Sequence, residues 1–244
     1  MDMSKINKWL WIGLLVNLLL LVLLFVFAGV VFPEYSLYDF SVVLKNTLVL
    51  IFALQFLNVF LIMRGPRYAT GMSFLLSLFY FPTGIIYYIG CLFSIQTSVL
   101  SKYTQRSEYP DDENVECKVM FFSNKYIKIS ALFFILTVVS FFISHLVTSV
   151  FCTLFITNLC AFYQTKKVCF FLERYDDFLI KPNAFSDIVT INKSEIIKVN
   201  VQDGFAEITT REGRLKFNNR YVDKTEFEKV ISKLSLAALS NQAD

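Results

Sequence analysis

The sequence predicts an α-helical integral membrane protein with a small C-terminal α+β domain, and three observations carry that prediction. Residues 10–32 contain no charged side chain, and about 20 consecutive apolar residues let a helix cross about 30 Å of hydrocarbon. The chain is 55% hydrophobic and 18% charged, with a mean hydropathy of +0.54, against about 45–50% and 25% in ordinary globular domains. After Lys166 the pattern changes from long apolar runs to short alternating segments separated by turn dipeptides. The expected division is a membrane domain over residues 1–164 and a cytoplasmic domain over 165–244.

The first span is expected over residues 9–32, with Trp9 and Trp11 at headgroup level, where indoles prefer to sit. Lys5 and Lys8 imitate the basic end of a signal peptide. The apolar run outlasts the usual 7–15 residues, which makes a retained anchor the better reading. The second span runs over 42–63 and stops at Arg64-Gly65-Pro66-Arg67. A third apolar stretch, 72–100, carries Pro82-Thr83-Gly84 at its middle. The fourth, 129–164, is too long for one span at about 1.5 Å per residue. Ser144-His145 and Thr148-Ser149 divide it into two short helices, 129–146 and 147–164, with His145 in the connecting turn.

Lys and Arg set the orientation of spans. Lys5 and Lys8 precede span one, Arg64 and Arg67 follow span two, and Lys166 and Lys167 follow the last, whereas 33–41 has only Glu34 and Asp39. Placing every basic cluster inside gives both termini cytoplasmic. The segment 72–100 then enters and leaves on one side, as a re-entrant hairpin turning at Pro82–Gly84, where proline removes a donor and glycine permits the turn. The alternative is one kinked, tilted helix, which carries the 101–128 loop outside.

Polar side chains recur in these helices at Asn17, Asn46, Gln55, Asn58, Gln96 and Asn158. Each is worth about 0.6 kcal/mol as interhelical glue. No acidic residue lies inside a span, which argues against a proton or cation relay. Cys91, Cys117, Cys152, Cys160 and Cys169 form no CxxC and are odd in number, so they read as small packing hydrophobes. With one histidine and no P-loop, GxGxxG, HExxH or GxSxG, the sequence offers no catalytic, cofactor-binding or metal-binding residues. A net charge of +3 with dispersed basic residues excludes nucleic acid as the expected partner.

The loop 101–128 contains the acidic cluster Asp111-Asp112-Glu113. It also contains an alternating stretch, 115–122, that reads as a strand without a sheet. The tail supplies candidate strands at 168–172, 178–181, 187–191, 196–201, 205–210 and 214–217, separated by turn chemistry at Asn192-Lys193, Asp203-Gly204 and Glu212-Gly213. Asp223-Lys224-Thr225-Glu226 has helix-capping spacing. Phe227, Val230, Ile231 and Leu234 then repeat at helical period. The 115–122 stretch is expected to add to an open edge of the tail sheet. Arg211, Arg214, Lys216 and Arg220 make a modest basic group that ordinary solvated strand faces explain, since residues 165–244 hold 13 Lys and Arg against 12 Asp and Glu.

Six strands and a closing helix, directly after a membrane hairpin, resemble the bacterial PH-like domains of small membrane proteins, including the YcxB-like group. The resembling residues are 178–180, 194–199, 208–214 and 227–234, within the last third of the chain. The resemblance implies a seven-stranded PH-like fold that binds lipids, peptides or proteins, and it transfers no site residues. The expected function is that of a non-enzymatic, membrane-anchored interaction protein of the cell (inner) membrane. Its expected partners are the bilayer and a membrane or cytoplasmic protein, with a second copy of the chain as a further option. An immunity protein against a pore-forming or ionophoric toxin is the alternative, and a small channel or transporter component is the third reading.

Overall fold

The computed structural model describes residues 6–31, 38–64, 66–106, 115–202 and 204–243. Lys5, Glu34, Gly65, the 111–113 acidic cluster and Asp203 lie outside the described residues. The chain divides into two compact units, one of Met1–Ser98 with Phe133–Thr157 and one of Val99–Leu132 with Asn158–Asp244. The loop over 101–128 therefore belongs with the tail, and the second unit is larger than residues 165–244.

The first unit holds α1 (Lys8–Val31), α2 (Tyr38–Arg64), α3 (Pro66–Leu78) and α4 (Gly84–Leu100). Pro66 opens α3, a position where its missing N–H costs nothing. The turn over 79–83 separates α3 from α4, and its amides are bonded locally: Tyr80 N–H to Ser77, Phe81 N–H to Leu78 and Gly84 N–H to Tyr80. Phe74 and Tyr88 meet edge to face at 5.4 Å, so the two helices fold back on each other. Helix α4 runs antiparallel to the first half of α1. The Asn7 amide donates to Ser94 at 2.9 Å, and Thr83 donates to Asn17 at 2.8 Å. Between those bonds the backbones touch. A Cβ on Gly90 would stand 2.2 Å from the Leu10 nitrogen, and one on Gly13 would stand 2.4 Å from the Tyr87 backbone. Small residues that let backbones meet are a characteristic device of helices in lipid.

Among the described residues three helices are long and apolar enough to cross a membrane, over Lys8–Val26, Val42–Arg64 and His145–Thr165, while Tyr68–Leu78 and Gly84–Leu100 are shorter apolar helices.

Helices α5 (Asn124–Ser140) and α6 (His145–Thr165) form the second hairpin, with Phe133 against Phe151 and Phe134 against Phe155. Its boundaries differ from those expected. Helix α5 begins before residue 129, because Lys125 and Lys128 end an apolar run without ending a helix. The turn is 141–144, whose N–H groups fold back onto the carbonyls of residues 137–140, and His145 opens α6 instead of lying in the turn.

The second unit contains two antiparallel sheets. The five-stranded sheet has the order β1 (Thr104–Arg106), β5 (Ile188–Asn192), β4 (Asp177–Ile180), β3 (Cys169–Glu173), β2 (Cys117–Met120). The three-stranded sheet is β6 (Ile196–Gln202), β7 (Phe205–Thr210), β8 (Arg214–Asn218). The stretch 115–122 supplies β2, which pairs with β3 as Lys118↔Leu172 and Val119↔Phe171. The other edge, β1, also comes from the loop, pairing Gln105 with Val189. Phe170, Phe178, Ile191, Ile208 and Leu215 fill the core with Phe227, Val230 and Leu234 of α7 (Lys224–Ala243).

Glu173 is buried among these elements. Its carboxylate meets Lys193 at 3.0 Å and Lys233 at 3.1 Å, tying β3 to the Lys193–Glu195 turn and to α7. Bonding to Glu173 raises the Lys233 pKa.

Asp223 caps α7. It accepts the Thr225 N–H at 2.9 Å and the Thr225 hydroxyl. These bonds, the hydroxyl's first, hold its carboxyl below the usual carboxylate range. A carboxyl depressed by folding contributes fully above its unfolded pKa and stops contributing as pH falls through its folded one. Asp223→Ala is expected to lower the melting temperature of the whole chain at pH 7, and the gap to wild type should close on acidification. A gap constant between pH 7 and pH 3 is the contrary result.

Candidate functional site

Two groups of side chains carry polarity to places where packing alone does not need it. The first lies among α1–α4, where Asn17 donates to the Gln55 side chain at 3.0 Å and Gln55 donates to the Leu76 carbonyl at 3.0 Å. One helical turn along α2, Asn58 donates to Ser73 at 2.8 Å and to the Tyr87 hydroxyl at 3.0 Å, and Tyr87 donates to the Gln55 carbonyl. Asn17, Gln55 and Asn58 are at most 1% exposed. A buried polar group left unmatched is costly, and this layer answers nearly all of its own demands; among the described residues only the Asn58 Oδ1 lacks a hydrogen-bond partner here. The layer stitches four helices together.

Of the polar residues expected to act as glue, Asn17, Gln55 and Asn58 are brought together in this way. Asn46 is exposed, and Gln96 and Asn158 are half-buried elsewhere. The sequence does not single out Ser73 or Tyr87, and it marks Thr83 only as part of the Pro82-Thr83-Gly84 turn. A hydroxyl in an apolar run often bonds its own preceding turn, as the Ser73 hydroxyl does to the Ala69 carbonyl, so such residues carry no sign of a long-range partner.

The second group lies where the β unit receives the ends of α5 and α6. Just before α5, the Phe122 N–H donates to the Tyr221 carbonyl at 2.7 Å. In the first turn of α5, Tyr126 stacks on the Tyr221 ring at 6.0 Å with planes 19° apart. Phe121 meets Phe170 edge to face at 5.4 Å, and its N–H donates to the Val168 carbonyl just beyond α6. The start of one helix and the end of the other are thus fixed to the same sheet. Around this junction Lys125, Lys128, Lys166, Lys167 and Arg220 are all exposed. Lys125 lies over the Phe122 ring at 5.0 Å, and Lys166 lies over the Phe162 ring at 5.6 Å.

Lys167 adopts a left-handed backbone with φ of 62°, a conformation helix ends usually assign to glycine or asparagine. The Val168 N–H bonds the Thr165 carbonyl and closes the turn.

Beside the junction an open cleft of about 480 Å³ is lined by Gly204, Phe205 and residues 216–220. Of the basic group expected from sequence, the cleft includes Lys216 and Arg220. Arg214 and Lys216 pair with Glu207 at 3.6 and 3.2 Å, so two of the four charges are already partly answered.

Lys181 is buried. Its ammonium donates to the Ser186 carbonyl at 2.8 Å, and burial lowers its pKa while Asp187 opposes that shift. Among the described residues no three His, Cys, Asp or Glu side chains gather where a metal ion could sit. The five cysteines are free thiols.

Comparison with family models, curated proteins and solved structures finds no match to the chain.

Proposed function

We propose that the chain is a non-enzymatic, multi-pass protein of the cell (inner) membrane, with both termini cytoplasmic, whose β unit contacts a protein partner or the inner leaflet. One observation carries the reading: the β unit is built around the ends of two apolar helices, through the Tyr126–Tyr221 stack and the Phe121 and Phe122 backbone bonds. A module joined in this way is held against the membrane face.

The register of α1 and α4 supports the same-side hairpin. Thr83, in the turn between α3 and α4, bonds Asn17. From Lys8 to Asn17 is nine residues, about 14 Å of helix and so roughly half of a 30 Å hydrocarbon layer. A turn at that depth needs its backbone groups satisfied within the protein, which the local bonds of residues 80, 81 and 84 do. Helices α3 and α4 are then half-spans, and Lys102 returns to the side of Lys8 and Arg64. In a variant without native cysteines, Lys102→Cys and Lys118→Cys are expected to resist a membrane-impermeant maleimide added outside, while Glu34→Cys reacts. External labelling of Lys102→Cys would sink the hairpin assignment.

The functional reading is tested by affinity capture of the full chain in detergent from its host, alongside binding of the reconstituted chain to lipid. A specific protein partner, or binding that depends on the leaflet's headgroups, supports it; neither one is the result that defeats it. The immunity alternative relies on polar side chains able to pair with an inserted toxin helix. Asn17, Gln55 and Asn58 are engaged with their own neighbours, so that alternative draws no support from them.

A further inference from the structure

We infer that Lys125, Lys128, Lys166 and Lys167 form a collar that docks the β unit onto anionic phospholipid headgroups, with Arg220 beside it. The inference rests on the membrane reading above and names one partner for the β unit, the lipid leaflet itself.

The local charge is the first argument. The tail taken as a whole is almost neutral, with 13 basic residues against 12 acidic ones from Thr165 onward. Folding sorts them unevenly. Glu173 is buried between Lys193 and Lys233, and Glu207 is taken up by Arg214 and Lys216. The start of α5, which carries Lys125 and Lys128, and the turn after α6, which carries Lys166 and Lys167, are fixed to each other, because the Phe121 N–H bonds the Val168 carbonyl across the gap. Among the described residues, the carboxyl that Lys125 acts on is that of Asp223, which is engaged in capping α7.

Position is the second argument. Past Lys128, α5 is without charge to its end, and α6 is without charge from His145 to Thr165. The collar is therefore at the level where the apolar hairpin begins, which for an inserted hairpin is the level of the phosphates. Lys125 and Lys166 each hold their ammonium group over a phenylalanine ring, at 5.0 and 5.6 Å, a cation–π contact that keeps the charge beside the start of the apolar hairpin. Basic clusters immediately cytoplasmic of a membrane helix bind anionic lipid through this attraction.

Lys167 is the third. Glycine would relieve its left-handed backbone, yet a lysine stands there. A charge held against a conformational preference fits a charge that is used.

The test uses the full chain, purified in neutral detergent and reconstituted with equal amounts of phosphatidylglycerol and phosphatidylcholine. Lipid retained by the protein is then counted by native mass spectrometry. Wild type is expected to retain phosphatidylglycerol preferentially, and the quadruple variant Lys125→Gln, Lys128→Gln, Lys166→Gln, Lys167→Gln to lose nearly all of that preference, since about fivefold per charge compounds to several hundredfold over four charges. Lys167→Gly provides a second reading: its melting temperature in neutral detergent should match or exceed wild type, while its preference falls by about fivefold. Equal retention of the two lipids by wild type overturns the proposal, as does an undiminished preference in the quadruple variant. Free glycerol phosphate competing at millimolar concentration would show that a soluble anion, not the leaflet, is the ligand, and would overturn it too. A chain that fails to float with liposomes of either lipid defeats the membrane reading itself. A chain that floats equally with both and shows no preference defeats only the collar.

Discussion

Gly90→Val is expected to abolish folding of the helical unit, and Gly13→Val to do nearly as much. At both positions the added Cβ meets backbone, at 2.2 Å from the Leu10 nitrogen and 2.4 Å from the Tyr87 Cα. Side chains yield by changing rotamer, but backbone yields only if the helices part. Overpacking in an adaptable core costs about 1–3 kcal/mol, and separating α1 from α4 adds the loss of the Asn7–Ser94 and Asn17–Thr83 bonds. Against a total stability of about 5–15 kcal/mol, such a change is decisive. The measurement is the monodisperse fraction in mild detergent, followed over a temperature ramp. Gly71→Ala is the control, since a Cβ there meets nothing within 4 Å, and it should behave as wild type. A Gly90→Val chain with an unchanged profile would show that the two helices do not touch.

A fragment beginning at Lys166 is expected to aggregate, and adding residues 115–122 is expected to recover it in part. Without the loop both β3 and β5 become open edges, the arrangement that invites pairing between chains. The core also loses Val119 and Phe121, which are 1% and 7% exposed, and removal of a buried phenylalanine alone costs about 3–5 kcal/mol. In the full chain Val119→Asp should weaken the β unit, because Val119 stands in β2 opposite Phe171 at 1% exposure and a carboxylate buried there without a partner is costly. Circular dichroism of the fragments and limited proteolysis of the full-length variant are the readouts. A fragment from Lys166 that melts cooperatively and ignores the added segment is the contrary outcome.

Much of the β unit can be read in the residues themselves. Alternation marks β7 and β8, where one face of the strand is buried, short apolar runs mark β3 and β4, buried on both faces, and Asp223 announces α7 through the side-chain oxygen it offers. Strand β1 is beyond such reading: three residues, Thr104–Arg106, are too few to show a period. The split into two sheets is equally hidden, since β5 and β6 follow one another with only the Lys193–Glu195 turn between them. In the helices the break at Pro82 is visible as chemistry, while the register that sets Thr83 against Asn17 depends on shapes meeting at Gly13 and Gly90. The polar residues are visible one by one, but their pairing is not. The lysine collar escapes for a related reason. Its charges come from stretches some forty residues apart, and the balanced sum over the tail conceals them until β2 and β3 join.

The position of β1 and β2 at the two rims of the five-stranded sheet also fixes an order of events during synthesis. Both rims leave the ribosome before the α5–α6 hairpin, and the strands they flank leave it afterwards. The sheet therefore stays open until the hairpin has been made. In the topology proposed above, a hairpin that crossed only once would leave β2 and β3 on opposite faces of the membrane with no way to meet. In that topology closure of the sheet would require completed insertion, and a chain with unpaired rims is expected to be the one cut first in limited proteolysis.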